Sequence, residues 1–258
     1  MSRKSSHQKH PHPYRFLAGV VVLLIVFAAY GADWTVVHAA MRIKLQRIAS
    51  AVMPPRGGTR MLAVPFHKQE HPLSCEIASL RSALLTVGLD VPESILLDGL
   101  PMDPTPKRWT SASSFTWGDP DEGFVGNING RMPSTGYGIH AQGLAKVVSL
   151  YAASIPIRVN DAARLMAAIN AGHPVIAWSV LGNEPRGYTW QTPAGKKIYA
   201  ALYEHSVVVA GYTGSGNTIE KVFVVDPRTG LREESWEEFI WHTGFLNYQG
   251  LEIQGVGF

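Results

Sequence analysis

Two runs of β-branched and apolar residues near the C-terminus constrain the fold more than any other feature of the sequence. They are HSVVVAGYT, which begins at His205, and KVFVVD, which ends at Asp226, and the turn residues GSGN lie between them. Such runs joined by a glycine-rich turn predict an antiparallel hairpin. The first strand of a hairpin starts beside the end of the second. We therefore expect His205 and Asp226 to be neighbours.

The preceding sequence adds helices and one further strand. PVIAWSV, which begins at Pro174, predicts a strand, whereas residues 98–138 are rich in glycine, proline and aromatic residues and show little periodicity. Apolar spacing predicts helices over 74–87, 144–153 and 161–171, the last of them capped by Asn160. Helices followed by antiparallel strands are typical of the α+β class. The sequence thus predicts one α+β domain over residues 61–258.

The N-terminal part differs from this domain in charge. The chain has a formal net charge of +3, yet from Glu70 onward 13 lysines and arginines stand against 19 acidic residues. Positive charge is therefore concentrated before the domain, which argues against nucleic acid as the main partner. A basic arm of this kind indicates a position near a membrane.

An uncharged apolar stretch interrupts that basic arm. It covers residues 16–32, which is longer than the core of a signal peptide and shorter than the roughly 20 residues of a spanning helix. Because apolar character resumes weakly after it, we expect a transmembrane signal-anchor over 16–37, with a cleaved signal peptide as the alternative. Residues 1–15 would then be a cytoplasmic tail and 38–60 a basic stalk or linker. The domain would lie outside the cytoplasm, on the cell membrane or secreted.

Cys75 is the only cysteine of the chain, which excludes an intramolecular disulfide. It follows Ser74, the predicted N-cap, so it stands at a helix start, where free N–H groups and the helix dipole favour a thiolate. Glu76 acts in the opposite direction, because a neighbouring carboxylate raises a thiol pKa unless it points away. Cys75 is therefore a candidate nucleophile, and the alternative is a small buried apolar residue.

A cysteine nucleophile needs a base, and His205 at the start of its strand is the candidate. Asp226 would fix its tautomer, although an Asp-Pro pair after a strand is also a common turn. Gln69, six positions before Cys75, could donate to an oxyanion, and the alternative is a solvated loop glutamine.

The irregular middle segment predicts one wall of a substrate cleft, with Trp117, Phe124 and Tyr137 as substrate-binding residues. The alternative is a loop packed on its own aromatic rings. Two metal patterns are incomplete: Asp119-Pro-Asp121 lacks the remaining calcium ligands, and the pair His67 and His71 lacks a third zinc ligand nearby. We therefore expect neither a metal nor another cofactor.

These motifs carry a family resemblance. Gln69 and Cys75, EHSVVVAGY around His205 and VVDP at Asp226 resemble the papain-like cysteine peptidases. The segments PLSCEIASL and WGDPDEGFVGNINGRMPSTGYGIH resemble the stand-alone branch of the bacteriocin-processing, double-glycine leader peptidase-like group. The resemblance covers roughly residue 64 to the C-terminus.

The resemblance implies a papain-like α+β fold and a peptide or peptide-like substrate. It further implies Cys75 as nucleophile, His205 as general base and then acid, Asp226 as its orienting partner and Gln69 as an oxyanion donor. The chain departs from the exporter-linked members because it has no ATP-binding motif and carries Glu76 where they have a small glycine. Cleavage coupled to export is therefore not expected.

The leading hypothesis is a membrane-tethered, extracytoplasmic cysteine peptidase or amide hydrolase. Attack by an amine instead of water would make the same site a transpeptidase. A peptide- or cell-wall-binding module on the same scaffold, without chemistry, is a different class. A structural envelope protein is a third.

Overall fold

A seven-stranded antiparallel sheet organises the part of the chain that the computed structural model describes, residues 58–182 and 186–255. The strands of the described residues are β1 (Gly58–Met61), β2 (Met102–Asp103), β3 (Arg108–Trp109), β4 (Phe115–Thr116), β5 (Phe124–Val125), β6 (Ala153–Arg158), β7 (Val175–Val180), β8 (Gly187–Gln191), β9 (Lys197–Ala201), β10 (Glu204–Ser215), β11 (Thr218–Asp226), β12 (Gly230–Ser235) and β13 (Gln249–Gln254). The helices within the same residues are α1 (Cys75–Thr86), α2 (Glu93–Asp98), α3 (Ala141–Val148), α4 (Ala162–Asn170) and α5 (Trp236–Gly244).

The large sheet has the strand order β12-β11-β10-β7-β13-β6, and β1 also pairs with β10. All of these pairs are antiparallel. Two smaller sheets, β3-β4-β8-β9 and β2-β5, come from the irregular middle segment and the strands that follow β7. Helices with a mainly antiparallel sheet confirm the predicted α+β class.

Both faces of the large sheet are covered by helices. Along β10, Val208 and Ala210 pack in a core with residues of α1, α2 and α3, whereas Val207 and Val209 pack in a second core with residues of α4 and α5. This alternation is the two-residue period of a strand. The centre of β10 is therefore fixed from both sides, which makes its first residues a rigid support for functional groups.

The predicted hairpin is confirmed as β10 and β11. Val208 pairs with Val225 and Val209 with Val224, and register shifts follow after Val209 and after Thr213. The turn carries Gly216 at φ 58°, a left-handed conformation that glycine adopts without steric cost. The hairpin thus brings the end of β11 beside the start of β10, as the sequence predicts.

One predicted helix is wrong. Residues 144–153 were expected to be helical, but α3 begins at Ala141 and ends at Val148, and Ala153 starts strand β6. β6 lies at the edge of the large sheet and pairs with β13 alone, so Pro156 is tolerated within it. Its apolar residues follow those of α3 closely, which made a longer helix plausible. The next helix is capped by Asp161, not Asn160, since the Asp161 side chain accepts from the backbone N–H of Arg164.

The predicted linker overlaps the domain. Gly58 to Arg60 were assigned to a stalk ending at residue 60, yet they belong to β1, which pairs with β10 from Gly58 opposite Gly214 to Met61 opposite Gly211. The predicted tail, the predicted signal-anchor over 16–37 and most of the stalk lie outside the described residues. Among the residues that are described, no helix is long and apolar enough to cross a membrane.

Replacing Gly211 by alanine is expected to destabilise the domain by about 2 kcal/mol, because a Cβ there would lie 2.3 Å from the backbone oxygen of Arg60. Chemical denaturation of the two chains gives the difference. Gly187→Ala is the matched control, since its Cβ would meet only the Ala200 oxygen at 3.7 Å. Equal losses in both variants would refute this account of the β1 contact.

Candidate active site

The first residue of α1 and the first residues of β10 meet at one cleft of about 530 Å³. Four of the residues singled out in the sequence line it: Gln69, Cys75, Tyr137 and His205. The remaining lining residues are Lys68, Pro72, Leu73, Met132, Leu181, Tyr203, Glu204 and Arg228. The cleft therefore gathers the candidate nucleophile, base and oxyanion donor on one surface.

His205 and Asp226 form the predicted pair. The Nε2 atom of His205 lies 2.9 Å from Oδ1 of Asp226, and both side chains are buried. The Oδ1 atom also accepts from the backbone N–H of Arg228 at 2.8 Å. Burial alone would raise the pKa of Asp226, but the hydrogen bond and charge of His205 lower it to about 2. An ionised carboxylate only accepts, so Nε2 carries the proton and Nδ1 is free to act as a base.

The thiol of Cys75 does not have the electrostatic environment that its helix position alone predicts. Its Sγ donates to Oε2 of Glu76 at 3.2 Å. Burial and the charges of Glu76 and Glu204 raise the pKa of Cys75 well above its usual value, while a hydrogen bond from the backbone of Ser206 lowers it by less. The structure confirms Ser74 as the N-cap and Cys75 as the first residue of α1, although the Ser74 side chain makes no capping hydrogen bond. The resting cysteine is thus a protonated thiol.

Glu76 is turned toward Cys75, the orientation that the sequence identified as unfavourable for a thiolate. Its Oε1 atom accepts from the backbone N–H of Ile139 at 2.8 Å. Burial raises the pKa of Glu76 to about 7, against the lowering effect of these hydrogen bonds. The residue is 1% exposed, so its carboxyl group is part of the interior beside the candidate nucleophile.

Glu204 is a site residue that sequence reasoning missed. It precedes His205, is 4% exposed, and neither carboxyl oxygen has a hydrogen-bond partner in the described part of the chain. Burial and the charge of Glu76 raise its pKa well above the usual range. A carboxyl group at the start of an otherwise apolar central strand was the signal that could have identified it.

Replacing Glu76 by glutamine is expected to increase the rate at which a small alkylating agent modifies Cys75 at neutral pH by about tenfold. The amide removes a negative charge and offers an N–H donor to the thiolate, so the pKa of Cys75 falls. Mass spectrometry of the alkylated chain measures the rate. Glu122→Gln, an exposed carboxylate paired with Lys146, is the control. An unchanged rate in Glu76→Gln would show that Glu76 does not restrain the thiol.

Gln69 reaches the cleft but binds backbone oxygens. Its amide nitrogen donates to the carbonyl oxygens of His71 and Pro72, at 2.8 Å and 3.1 Å. The backbone N–H of Gln69 donates to Pro227, the residue after Asp226. The loop before α1 is therefore attached to the end of β11, and the role of the Gln69 amide as an oxyanion donor stays a prediction.

Of the three aromatic residues predicted to bind substrate, Tyr137 alone lines the cleft with Cys75. Phe124 is fully buried in the core under α1, and Trp117 packs in an aromatic cluster with Phe115 and Trp190. Phe124 and Trp117 are thus buried away from Cys75, although Trp117 also lines a separate pocket, and their roles in substrate binding stay predictions. The glycines of the segment 98–138 let it fold back on itself. The sequence periodicity gave no sign of this folding.

The side chains of the two incomplete metal patterns bind other groups of the protein. His67 pairs with Glu93 at 2.6 Å, while His71 pairs with Asn129 at 2.9 Å. The carboxylates of the calcium-like segment, Asp119 and Asp121, both bind Lys196 at 2.8 Å. His67 also lies with Glu70 and Glu93 in a group whose possible ligand atoms are all within 4.8 Å of one another, so the absence of a metal stays an expectation.

Comparison with known proteins places the chain among peptidases. The model of the Peptidase_C39 like family matches residues 61–255. A solved structure described as a C39-like peptidase from Bacillus anthracis is similar in fold, with a TM-score of 0.63 and 24% identity over 78% of this chain and 100% of that one. No protein with a curated description matches. The predicted papain-like fold is thereby confirmed, and the chain belongs to the C39-like family of cysteine peptidases.

Proposed function

We propose that the chain is an extracytoplasmic cysteine peptidase that cleaves peptide bonds by acyl transfer through Cys75, His205 and Asp226. The observation that carries the proposal is the His205–Asp226 pair on the wall of the same cleft that Cys75 lines. The hydrogen bond leaves one nitrogen of His205 free as a base. A binding module would have no need of a buried, oriented histidine beside its only thiol.

The reaction begins when the thiol of Cys75 exchanges Glu76 for His205 as its hydrogen-bond partner. Nδ1 of His205 takes the thiol proton, and the sulfur attacks the carbonyl carbon of the scissile peptide bond. Asp226, whose pKa is depressed, stabilises the resulting imidazolium. His205 then gives the proton to the leaving amine, which leaves a thioester on Cys75. Water, deprotonated by His205, hydrolyses the thioester and restores the thiol.

The oxyanion of each tetrahedral intermediate forms beside the start of α1. The backbone N–H of Cys75 is one of the first-turn groups that have no acceptor within the helix. It supplies one donor to the oxyanion. In our proposal Gln69 supplies the second, by exchanging its bonds to the carbonyl oxygens of His71 and Pro72 for the substrate oxygen.

The proposed location rests on the sequence before the domain. A basic tail, the apolar segment 16–32 and a basic stalk have the order expected of a signal-anchor that leaves the domain outside the cytoplasm. Digestion of intact cells with an added protease tests it. We expect the domain to be degraded without lysis, and protection until lysis would contradict the proposed topology.

Labelling of Cys75 with a thiol-directed electrophile tests the catalytic pair. In the full chain at neutral pH, with a chelator present, we expect modification of Cys75 that slows at least tenfold in His205→Ala, because the base that accepts the thiol proton is gone. Tyr199→Ala, which changes an exposed residue of β9 that does not line the cleft, should react as the wild type does. An unreactive Cys75, or equal rates in His205→Ala and wild type, would favour a binding module.

A further inference from the structure

Three side chains that can bind a metal converge in the cleft wall, and one of them is the proposed nucleophile, Cys75. The Sγ atom of Cys75 and one carboxyl oxygen from each of Glu76 and Glu204 all lie within 4.8 Å of one another. The first turn of α1 supplies two of them and the start of β10 supplies the third. All three residues are buried, so this is not a surface cluster of acidic groups.

Glu204 distinguishes this cluster from ordinary buried packing. It is 4% exposed and lines the cleft, and in the described part of the chain neither of its carboxyl oxygens accepts a hydrogen bond. A buried carboxyl group without a hydrogen-bond partner is costly, and it is ionised only when a cation lies beside it. A cation entering from the cleft would supply the missing charge at that point.

The surrounding backbone holds the carboxyl groups in converging positions. A Cβ on Gly138 would lie 2.4 Å from Oε1 of Glu76 and 3.0 Å from Oε2 of Glu204, so a glycine is needed for both to fit. The N–H of Ile139 binds Oε1 of Glu76, which presents Oε2 to Cys75. Hydrogen bonds of this kind orient metal ligands in proteins.

We propose that Cys75, Glu76 and Glu204 bind a Zn²⁺ ion, and that the bound ion holds the peptidase inactive. Tetrahedral zinc separates its sulfur and oxygen ligands by about 3.5 Å, and Sγ of Cys75 already lies 3.2 Å from Oε2 of Glu76. On binding, the thiol and the Glu204 carboxyl group release their protons to solvent, and the sulfur and the carboxylate oxygens each donate a lone pair to the metal. Water completes the coordination.

The ligand set selects the metal class. A thiolate favours borderline and soft ions such as Zn²⁺, whereas Ca²⁺ and Mg²⁺ prefer oxygen ligands alone. Inhibition follows because the coordinated sulfur cannot attack a carbonyl. The inhibitory part of this inference rests on the proposed function, whereas metal binding itself does not.

Titration of the full chain with Co²⁺, a spectroscopic substitute for Zn²⁺, tests the site. We expect near-ultraviolet thiolate-to-cobalt charge-transfer absorption that added Zn²⁺ displaces. Cys75 is the only cysteine, so this absorption reports on it alone, whatever ions the histidine-containing tail binds. Glu204→Gln and, independently, Glu76→Gln should each weaken Co²⁺ binding at least tenfold, as judged by this absorption.

Glu70→Gln is the matched control, since it removes a carboxylate from the separate cluster of His67, Glu70 and Glu93 and should leave the absorption unchanged. The inference would be overturned if no charge-transfer absorption appeared. It would also be overturned if Glu204→Gln and Glu76→Gln both bound Co²⁺ as tightly as the wild type while showing normal thermal unfolding. If that absorption is absent while Cys75 still drives cleavage in chelator, the metal inference alone has failed. If the absorption appears but Cys75→Ala cleaves peptides normally, the proposed function alone has failed.

Discussion

Replacing Cys75 by alanine is expected to lower kcat/KM for peptide cleavage by at least about 10⁴-fold. Alanine removes the sulfur that carries the acyl group, and the remaining groups of the cleft can only bind the substrate and polarise its carbonyl. Alanine differs from cysteine by one sulfur atom on a residue that lines the cleft, so the packing of α1 should change little. Incubation of the full chain and the variant with a peptide library, with a chelator present, measures the difference.

Ser82→Ala is the control for this measurement. Ser82 is a buried small residue on the same helix, and it is not among the residues that line the cleft. Its replacement should leave the cleavage rate within about twofold of wild type, as for substitutions remote from a site. A cysteine mechanism would be contradicted if Cys75→Ala gave the same products as the wild type at the same rate.

Replacing Asp226 by asparagine is expected to lower kcat by roughly 10²- to 10⁴-fold with little change in KM. An amide that donates to Nε2 would leave the proton on Nδ1, so the nitrogen that faces the cleft could no longer accept the thiol proton. The imidazolium would also lose the carboxylate that stabilises it. The substrate contacts of the cleft would be unaltered, which is why KM should hardly move.

Steady-state kinetics across pH distinguish this role from a purely structural one. Loss of the carboxylate should change the pH profile of kcat/KM, because the charge that stabilises the imidazolium is gone. Glu233→Gln is the control, since Glu233 lies on the adjacent strand β12 and pairs with exposed Lys221 at 2.6 Å. An Asp226→Asn enzyme with wild-type kcat and pH profile would show that Asp226 does not orient the base.

The sequence was sufficient where local patterns decide the structure. The β10–β11 hairpin follows from strand composition and a glycine turn, and the pairing of His205 with Asp226 follows from hairpin geometry. The start of α1 at Cys75 follows from its cap position and the apolar stripe. These features depend on residues close together in the chain.

The environment of the thiol could not be predicted in this way. Glu76 lies against Cys75 because the segment around Gly138 and Ile139 crosses the start of α1 and binds its carboxyl group. Glu204 joins it because β10 runs alongside α1. Both contacts join residues far apart in the sequence, and no local pattern specifies them. The edge strand β6 was missed for the same reason, since its partner is the distant strand β13.

Direct detection of the acyl-enzyme tests the central claim most sharply. The full chain, free of metal, is mixed with an activated peptide ester, quenched in acid and digested for mass spectrometry. Attack by the thiol outpaces hydrolysis of the thioester with such substrates, so the intermediate accumulates. We predict an acyl group on Cys75 in the wild type and far less in His205→Ala. Peptide cleavage without acylation of Cys75 would contradict the account.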